Sequence, residues 1–336
     1  MKVDVSYVTT LPKNANAPYV KINSNIKEEF RVVFMDLETG ESVVRYGESN
    51  IPIYSNWKQY FTKWDIKVYN KNDALILHDV FDPIGKVIFI KIDGYALGDN
   101  IAWIPFVEEF RKKWNCQVIC STFWNDIFID VYPKIMFIKP NSVIHNVYAQ
   151  YYVGASDDGN LKYSPIKSKY FPLQKVASSI LGLNNMEIRP MVSKKMNRTI
   201  GKYVCISEFG SSSKKNWKGN WQIIVDYLKS IGYDVLVISK EKTSLRGVID
   251  KTGDILLDNR IEDLNNCSLF IGVSSGLSWL AWSVGCPVFI ISDVTPFWHE
   301  FSCIRIGDYK LHEVNYDNLH ISSEDDVINR LSLFFK

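Results

Sequence analysis

Two stretches of this 336-residue chain carry side chains suited to complementary halves of one reaction. In Phe270–Pro296 an apolar run ends at Ser274-Ser275-Gly276, a short apolar helical stretch follows, and a second apolar run leads to a loop closed by Pro296. Where a strand becomes a helix, the first backbone N–H groups have no intrahelical partner and the helix dipole is positive, so an anion can dock. Gly276 lets a phosphate approach the main chain, and the hydroxyls of Ser274, Ser275 and Ser278 add donors. The same residues also fit an N-capped helix of an ordinary α/β fold, because Ser is a favoured cap.

The other stretch is Lys91–Asn100, directly after the apolar run Val87–Ile92 and opening a helical stretch Ile101–Trp114. Its glycines, Gly94 and Gly98, are spaced G-x3-G, which is neither the dinucleotide fingerprint nor a Walker loop. Asp99 stands at the helix start, either as a capping carboxylate or as a general base. Pro105 inside the helical stretch implies a kink.

Two further loops could assist. Ser207–Trp217 is rich in Ser and Gly and carries Lys214 and Lys215, which can neutralise a diphosphate or simply face solvent. Lys240 and Glu241 follow the next apolar run, where Glu241 could bond a ribose hydroxyl or sit in an exposed acidic loop. Phosphate donors facing a carboxylate suit a reaction with a nucleotide leaving group and a hydroxyl nucleophile.

The elements that must position these residues change character near residue 80. Before it, Arg31–Leu37, Ser42–Tyr46 and Ile66–Tyr69 are short and alternating, with a turn at Glu38-Thr39-Gly40. That pattern predicts a small antiparallel unit over residues 1–80, with Asn14–Pro18 as loop. From Lys86 onward the runs are continuous and apolar: Val87–Ile92, Gln117–Cys120 and Ile135–Ile138, then Tyr203–Ser207, Asp234–Ile238, Leu269–Val273 and Val288–Ile291. Such runs imply strands covered on both faces, hence parallel sheets with helices between. Trp221, Ile224, Val225, Leu228 and Ile231 recur at helical spacing, with Gly232 as the stop.

Residues 141–202 are loop-rich, with Gly154, Gly159, Pro165, Pro172 and Pro190, and Lys194–Lys202 reads as a linker. The expected domains are therefore 1–80, 81–200 and 201–336, the last closing with a C-terminal helix. Two parallel-sheet domains joined in this way would face a cleft, with ligands at the carboxyl ends of the strands.

A net charge of +2 gives no field that would make nucleic acid or an anionic membrane the main partner. The N-terminus lacks the apolar run of a signal peptide, and no stretch of about 18 apolar residues exists to span a membrane. A cytoplasmic protein follows, with its six cysteines reduced. Cys116 and Cys120 are spaced C-x3-C, but without a second pair at ligand spacing no metal site is expected.

The chain resembles glycosyltransferases of the GT-B fold, specifically the ADP-heptose-dependent family and, within it, the bacterial autotransporter heptosyltransferases. Gly98-Asp99 followed by Pro105 resembles the acceptor-side motif, and Gly272-Val273-Ser274-Ser275-Gly276-Leu277-Ser278 resembles the donor-phosphate motif. The likeness extends through Ala96–Trp103, Cys120–Asn125 and Leu277–Trp282 and covers nearly the whole chain. It implies an α/β architecture of two Rossmann-like domains behind a small β-rich N-terminal domain. It implies inverting transfer of heptose from an ADP-sugar to Ser or Thr hydroxyls of a protein.

On this resemblance Asp99 is the catalytic base, Lys215 in K-x-W holds the diphosphate with Lys214 as the alternative register, and Ser275, Gly276 and Leu277 contact phosphate. Lipopolysaccharide heptosyltransferases carry Asp and His where Ser274 and Trp279 stand, which argues against a lipid-sugar acceptor. The four-cysteine iron site of better-known members is not expected, since no cysteine follows Cys303. That absence leaves the ring assembly open, though a homo-oligomer of another kind is compatible. Another nucleotide sugar, or a catalytically silent sugar-nucleotide-binding subunit, are the alternative readings.

Overall fold

The computed structural model describes residues 1–8, 18–92, 94–154, 161–192, 198–293, 301–306 and 322–336. Most of the expected loop at Asn14–Pro18, Asp93, Gly159, part of the Lys194–Lys202 linker and the loop at Pro296 lie outside them. The chain divides into two compact units, one of Met1–Tyr95 with Trp103–Ile188, the other of Ala96–Ala102 with Arg189–Lys336.

The first unit begins with seven strands: β1 (Lys2–Ser6), β2 (Tyr19–Asn23), β3 (Glu29–Asp36), β4 (Ser42–Glu48), β5 (Ile53–Tyr54), β6 (Trp64–Tyr69) and β7 (Leu75–Val80). They form two antiparallel sheets, ordered β1-β2-β5 and β4-β3-β6-β7. In β3 the side chains of Phe30, Val32 and Phe34 are buried while their neighbours are half-exposed, the period-two pattern of a one-sided sheet. The β3–β4 turn is held by Asp36, whose Oδ1 accepts from the Glu38 N–H at 2.9 Å, and by Gly40 at φ 73°. Lys58 reaches the other Asp36 oxygen at 2.6 Å, and both residues are buried.

A parallel sheet follows, made of β8 (Val87–Ile92), β9 (Gln117–Thr122), β10 (Ile135–Ile138) and β11 (Ala149–Tyr152) in the order β10-β9-β8-β11. Ile88, Phe89, Ile90 and Ile92 of β8 are all buried, as a strand covered on both faces requires. Helix α1 (Leu97–Trp114) links β8 to β9 and buries Ile104, Phe106, Val107 and Phe110. Its last turn carries Arg111, Lys112 and Lys113, the favourable sign for the helix dipole. The helix starts four residues before the expected Ile101, and Pro105 sits inside it without ending it. The stretch expected to be loop-rich also holds β11 and α2 (Leu173–Ile180) among its described residues.

The second unit is built on β12 (Tyr203–Ser207), β13 (Asp234–Val237), β14 (Ile249–Asp250), β15 (Leu269–Val273), β16 (Val288–Ile291) and β17 (Ile304–Ile306). These strands are all parallel, in the order β14-β13-β12-β15-β16-β17. That is the doubly wound 3-2-1-4-5-6 order, with its switch point between β12 and β15. The helices are α3 (Trp221–Ser230), α4 (Leu257–Asn266), α5 (Gly276–Ser283) and α6 (Glu324–Phe334).

Helix α3 starts because Asn220 Oδ1 accepts from the Gln222 N–H at 3.0 Å, and it stops where Gly232 takes φ 84°. Its Trp221, Ile224, Val225 and Leu228 pack with Val327 and Leu331 of α6 on Val204, Ile206 and Phe289 of the sheet. Five of the six cysteines are buried, and none is in a disulfide. Among the described residues no helix is long and apolar enough to cross a membrane.

Candidate functional site

The switch point lies where β12 and β15 run in register, with Ser207 opposite Gly272. A Cβ on Gly272 would lie 3.0 Å from the Ser207 carbonyl oxygen and 2.8 Å from Phe270 Cζ, so the strand ends are closely apposed there. One residue beyond β15 stands buried Ser274, followed by Ser275 in extended backbone and then α5.

Ser278 supports this turn from within. Its Oγ accepts from the Ser275 N–H at 3.2 Å and donates to the Ser275 carbonyl at 2.6 Å. Ser275 and Ser278 form a reciprocal capping box, in which Ser275 Oγ faces the Ser278 N–H and is sealed from solvent. Helix geometry leaves the N–H groups of Gly276 and Leu277 without intrahelical partners. Orphan N–H groups and a positive helix end therefore sit together, the composition of an anion site.

The first turn of α1 belongs to the same compact unit. A Cβ on Gly98 would lie 3.3 Å from Gly276 Cα and 3.1 Å from Trp279 Cδ1. Reciprocally, a Cβ on Gly276 would lie 3.1 Å from Leu97 Cβ and 3.2 Å from the Gly98 nitrogen. Two helix N-termini thus meet through two glycines, and half-buried Asp99 is the next residue in one of them. Trp279 is backed by Phe301 at 4.7 Å and Trp282 at 5.7 Å, edge to face, and Trp282 stacks on Phe301 at 4.4 Å. This aromatic wedge fixes the wall behind the glycine contact.

The loop after β12 closes on the same turn. A Cβ on Gly210 would lie 3.4 Å from both the Ser274 carbonyl oxygen and Lys215 Cβ. Asn216 Oδ1 accepts from the Gly210 N–H at 2.9 Å and pins the loop. Trp217 anchors its far end: the indole N–H donates to the Ser322 carbonyl at 2.8 Å, and the ring meets Trp221 edge-on at 5.2 Å. In the 3-10 turn Ser213–Lys215, Lys214 is exposed and Lys215 is half-buried.

Gly98, Asp99, Lys215 and Ser274–Ser278 are thereby brought to one edge of the second unit. Lys240 and Glu241 are exposed, and Lys240 pairs with exposed Asp254 at 3.8 Å. Sequence reasoning did not single out Glu208, which is buried just past β12. Its burial pushes the carboxyl pKa up, with nearby Asp250 adding to the effect and Thr243 opposing it. Its position after a strand end was the available signal, but its inward turn depends on partners some thirty residues away. Among the described residues no group of three or more His, Cys, Asp or Glu side chains is arranged to hold a metal ion.

No family model matches the chain. The autotransporter heptosyltransferase Aah of Escherichia coli is 31% identical over 301 residues, which span 83% of this chain and 77% of Aah. The autotransporter heptosyltransferase BAHTCr of Citrobacter rodentium is 30% identical over 280 residues, 79% of this chain and 68% of the relative. Among solved structures, the dodecameric iron-containing heptosyltransferase TibC in complex with ADP-D-beta-D-heptose aligns at TM-score 0.85 and 22% identity. That alignment covers 99% of this chain and 95% of TibC. It establishes a GT-B fold, in keeping with the two parallel sheets and the antiparallel N-terminal strands.

Proposed function

The chain belongs to the autotransporter heptosyltransferase family and is a glycosyltransferase, and from that premise we propose that it moves heptose from ADP-heptose to Ser or Thr hydroxyls of a protein, with inversion. The observation that carries this reading is the meeting of the α1 and α5 first turns at Gly98 and Gly276. It puts the turn of Asp99 against the first turn of α5, whose leading N–H groups point out of the helix. A proton acceptor beside an anion cradle is what displacement of a nucleoside diphosphate by a hydroxyl needs.

In this reading Asp99 takes the proton of the acceptor hydroxyl as its oxygen bonds to the anomeric carbon. The bond from that carbon to the diphosphate oxygen breaks on the opposite face, so one displacement inverts the centre. The N–H groups at Ser275–Leu277 and the Lys215 ammonium carry the charge that develops on ADP. Residues 81–200 serve the acceptor, 201–336 the donor, and 1–80 form the separate β-rich domain.

TibC is described as iron-containing, yet the described residues of this chain offer no matching ligand group, and no step proposed for it runs through a metal. Self-association is inferred from dodecameric TibC, and a cytoplasmic setting is supported by six free cysteines.

Purified protein incubated with ADP-heptose and a candidate autotransporter passenger tests the reading by intact mass. The expected product gains whole heptosyl units on Ser or Thr. Transfer from a UDP-sugar alone, or donor binding without any transfer to acceptor, would overturn it.

A further inference from the structure

At the amino end of the second sheet, opposite the edge that carries Ser274–Ser278, two buried thiols meet. Cys267 follows α4 and leads into β15, and Cys286 follows the turn after α5 and leads into β16. These strands are parallel neighbours, with Phe270 opposite Val288. The two Sγ atoms lie 3.0 Å apart although the residues are 19 positions apart in the chain. Neighbouring strands stand about 4.8 Å apart, inside the Cα separation that a disulfide bridges. A bond between these sulfurs therefore asks for side-chain rotation and no new strand pairing.

Arg198 clasps both ends of this loop. Its guanidinium donates to the Cys267 carbonyl at 2.8 Å and to the Gly285 carbonyl. The same cation, with hydrogen bonds from the Cys205 and Cys286 thiols, outweighs burial and holds the Cys267 thiol below its usual range. Cys267 is thus the nucleophile of the pair. Both thiols are buried but only one residue deep, because Asn266, Ser268, Gly285 and Pro287 beside them are half-exposed. A Cβ on Gly285 would meet nothing within 4 Å, so the turn over Cys286 faces open space. A molecule the size of water needs only a local opening of that turn to reach the sulfurs.

We propose that Cys267 and Cys286 are an oxidisable pair that hydrogen peroxide converts to a disulfide, stapling the donor-side segment β15–α5 at its root. The Cys267 thiolate attacks one peroxide oxygen and the O–O bond breaks. Cys267 becomes the sulfenic acid, and the departing hydroxide takes a proton to leave as water. Cys286 Sγ then attacks that sulfur, the S–O bond breaks, and the hydroxide leaves as a second water with the Cys286 proton. The two sulfurs together lose two electrons and the two peroxide oxygens gain them. The closed loop holds β15, the Ser274–Ser278 turn and α5, and the bond constrains it in the unfolded chain.

The test treats the reduced full chain with hydrogen peroxide at a dose that oxidises half-buried Cys303, then alkylates the remaining thiols in denaturant and maps the peptides. Wild type is expected to yield a linked Cys267–Cys286 peptide, about 2 Da lighter than the two thiol peptides together. Its melting midpoint should rise by about 5 °C or more and return on treatment with dithiothreitol. Cys205→Ser should keep the link. Cys286→Ser should lose it and leave Cys267 as a sulfenic acid that dimedone traps. The wild-type peptide map decides the matter alone should a variant not fold. Cys267 and Cys286 both alkylated while Cys303 is oxidised would overturn the proposal. A link from Cys267 to Cys205 in place of Cys286, or a link that leaves the melting midpoint unmoved, would overturn it as well.

Discussion

Gly98 and Gly276 meet main chain to main chain, each at the first turn of its own helix, where a Cβ on either would fit only if its neighbours gave by a few tenths of an ångström. A Cβ on Gly98 would meet Gly276 Cα and wedged Trp279, and one on Gly276 would meet Leu97 Cβ and the Gly98 nitrogen, none of them the far end of a flexible side chain. The relationship explains why glycine stands inside the first turn of α1, where it costs helix stability relative to alanine.

Gly98→Ala and Gly276→Ala are therefore expected to push the two turns apart, at a cost of about 1–3 kcal/mol of overpacking. Transferase kcat/KM should fall by about tenfold or more, because small displacements at a reacting centre are expensive. Thermal melts alongside steady-state kinetics check this. Wild-type kinetics in both variants would show that the contact is incidental.

Lys215 and Lys214 are adjacent, but only Lys215 shares the Gly210 wall with Ser274. Lys215→Ala should weaken ADP binding by about tenfold or more, the loss of one charge-assisted contact. Lys214→Ala, at an exposed position, should change it by less than about threefold. Titration calorimetry with ADP separates the two, and the reverse ranking would assign the diphosphate to Lys214.

The Asp36–Lys58 pair makes the N-terminal strands sensitive to pH. Burial alone would raise the Asp36 pKa, but the bonds from Lys58 and the Glu38 N–H outweigh it and hold it below the usual value. Burial would likewise lower the Lys58 pKa, but Asp36 and Glu41 hold it above the usual lysine range. A lowered carboxylate contributes stability above its unfolded pKa, about 3.9, that is lost as pH falls through the folded value. A raised lysine contributes stability below its unfolded pKa, about 10.4, that is lost as pH rises through the folded value.

Stability from this pair should thus be level between about pH 5 and 9 and decline on both sides. Asp36→Asn should cost toward the low end of about 3–5 kcal/mol, since Glu41 still reaches Lys58 at 3.1 Å. Urea melts against pH check it, and an unchanged acid limb in Asp36→Asn would contradict it.

Much of the fold was legible because its sheets announce themselves. Val87–Ile92, Tyr203–Ser207 and Leu269–Val273 are continuous apolar runs, and each forms a strand at those limits. Ala149–Tyr152 was not legible: its run of Ala, Gln and two Tyr lacks β-branched residues and sits in a Pro- and Gly-rich region. The two-residue β14 is too short to show a period.

The start of α1 was misjudged for the reason its glycine matters. Local propensity speaks against Gly98 in a helix, and the contact that overrides it comes from a residue far along the chain. The strand-to-helix turn at Ser274–Ser278 could be read from the order of apolar runs alone. Burial of Glu208 could not, because carboxylates are mostly exposed and its turn inward depends on Ser239 of a neighbouring strand end.

The most direct test of the account is single-turnover transfer by Asp99→Ala and Asp99→Asn, with donor affinity measured on the same samples. Loss of the base should slow heptosyl transfer by about 10²-fold or more while the Kd for ADP-heptose stays within about threefold of wild type. Transfer at the wild-type rate by either variant would show that this carboxylate does not accept the acceptor's proton.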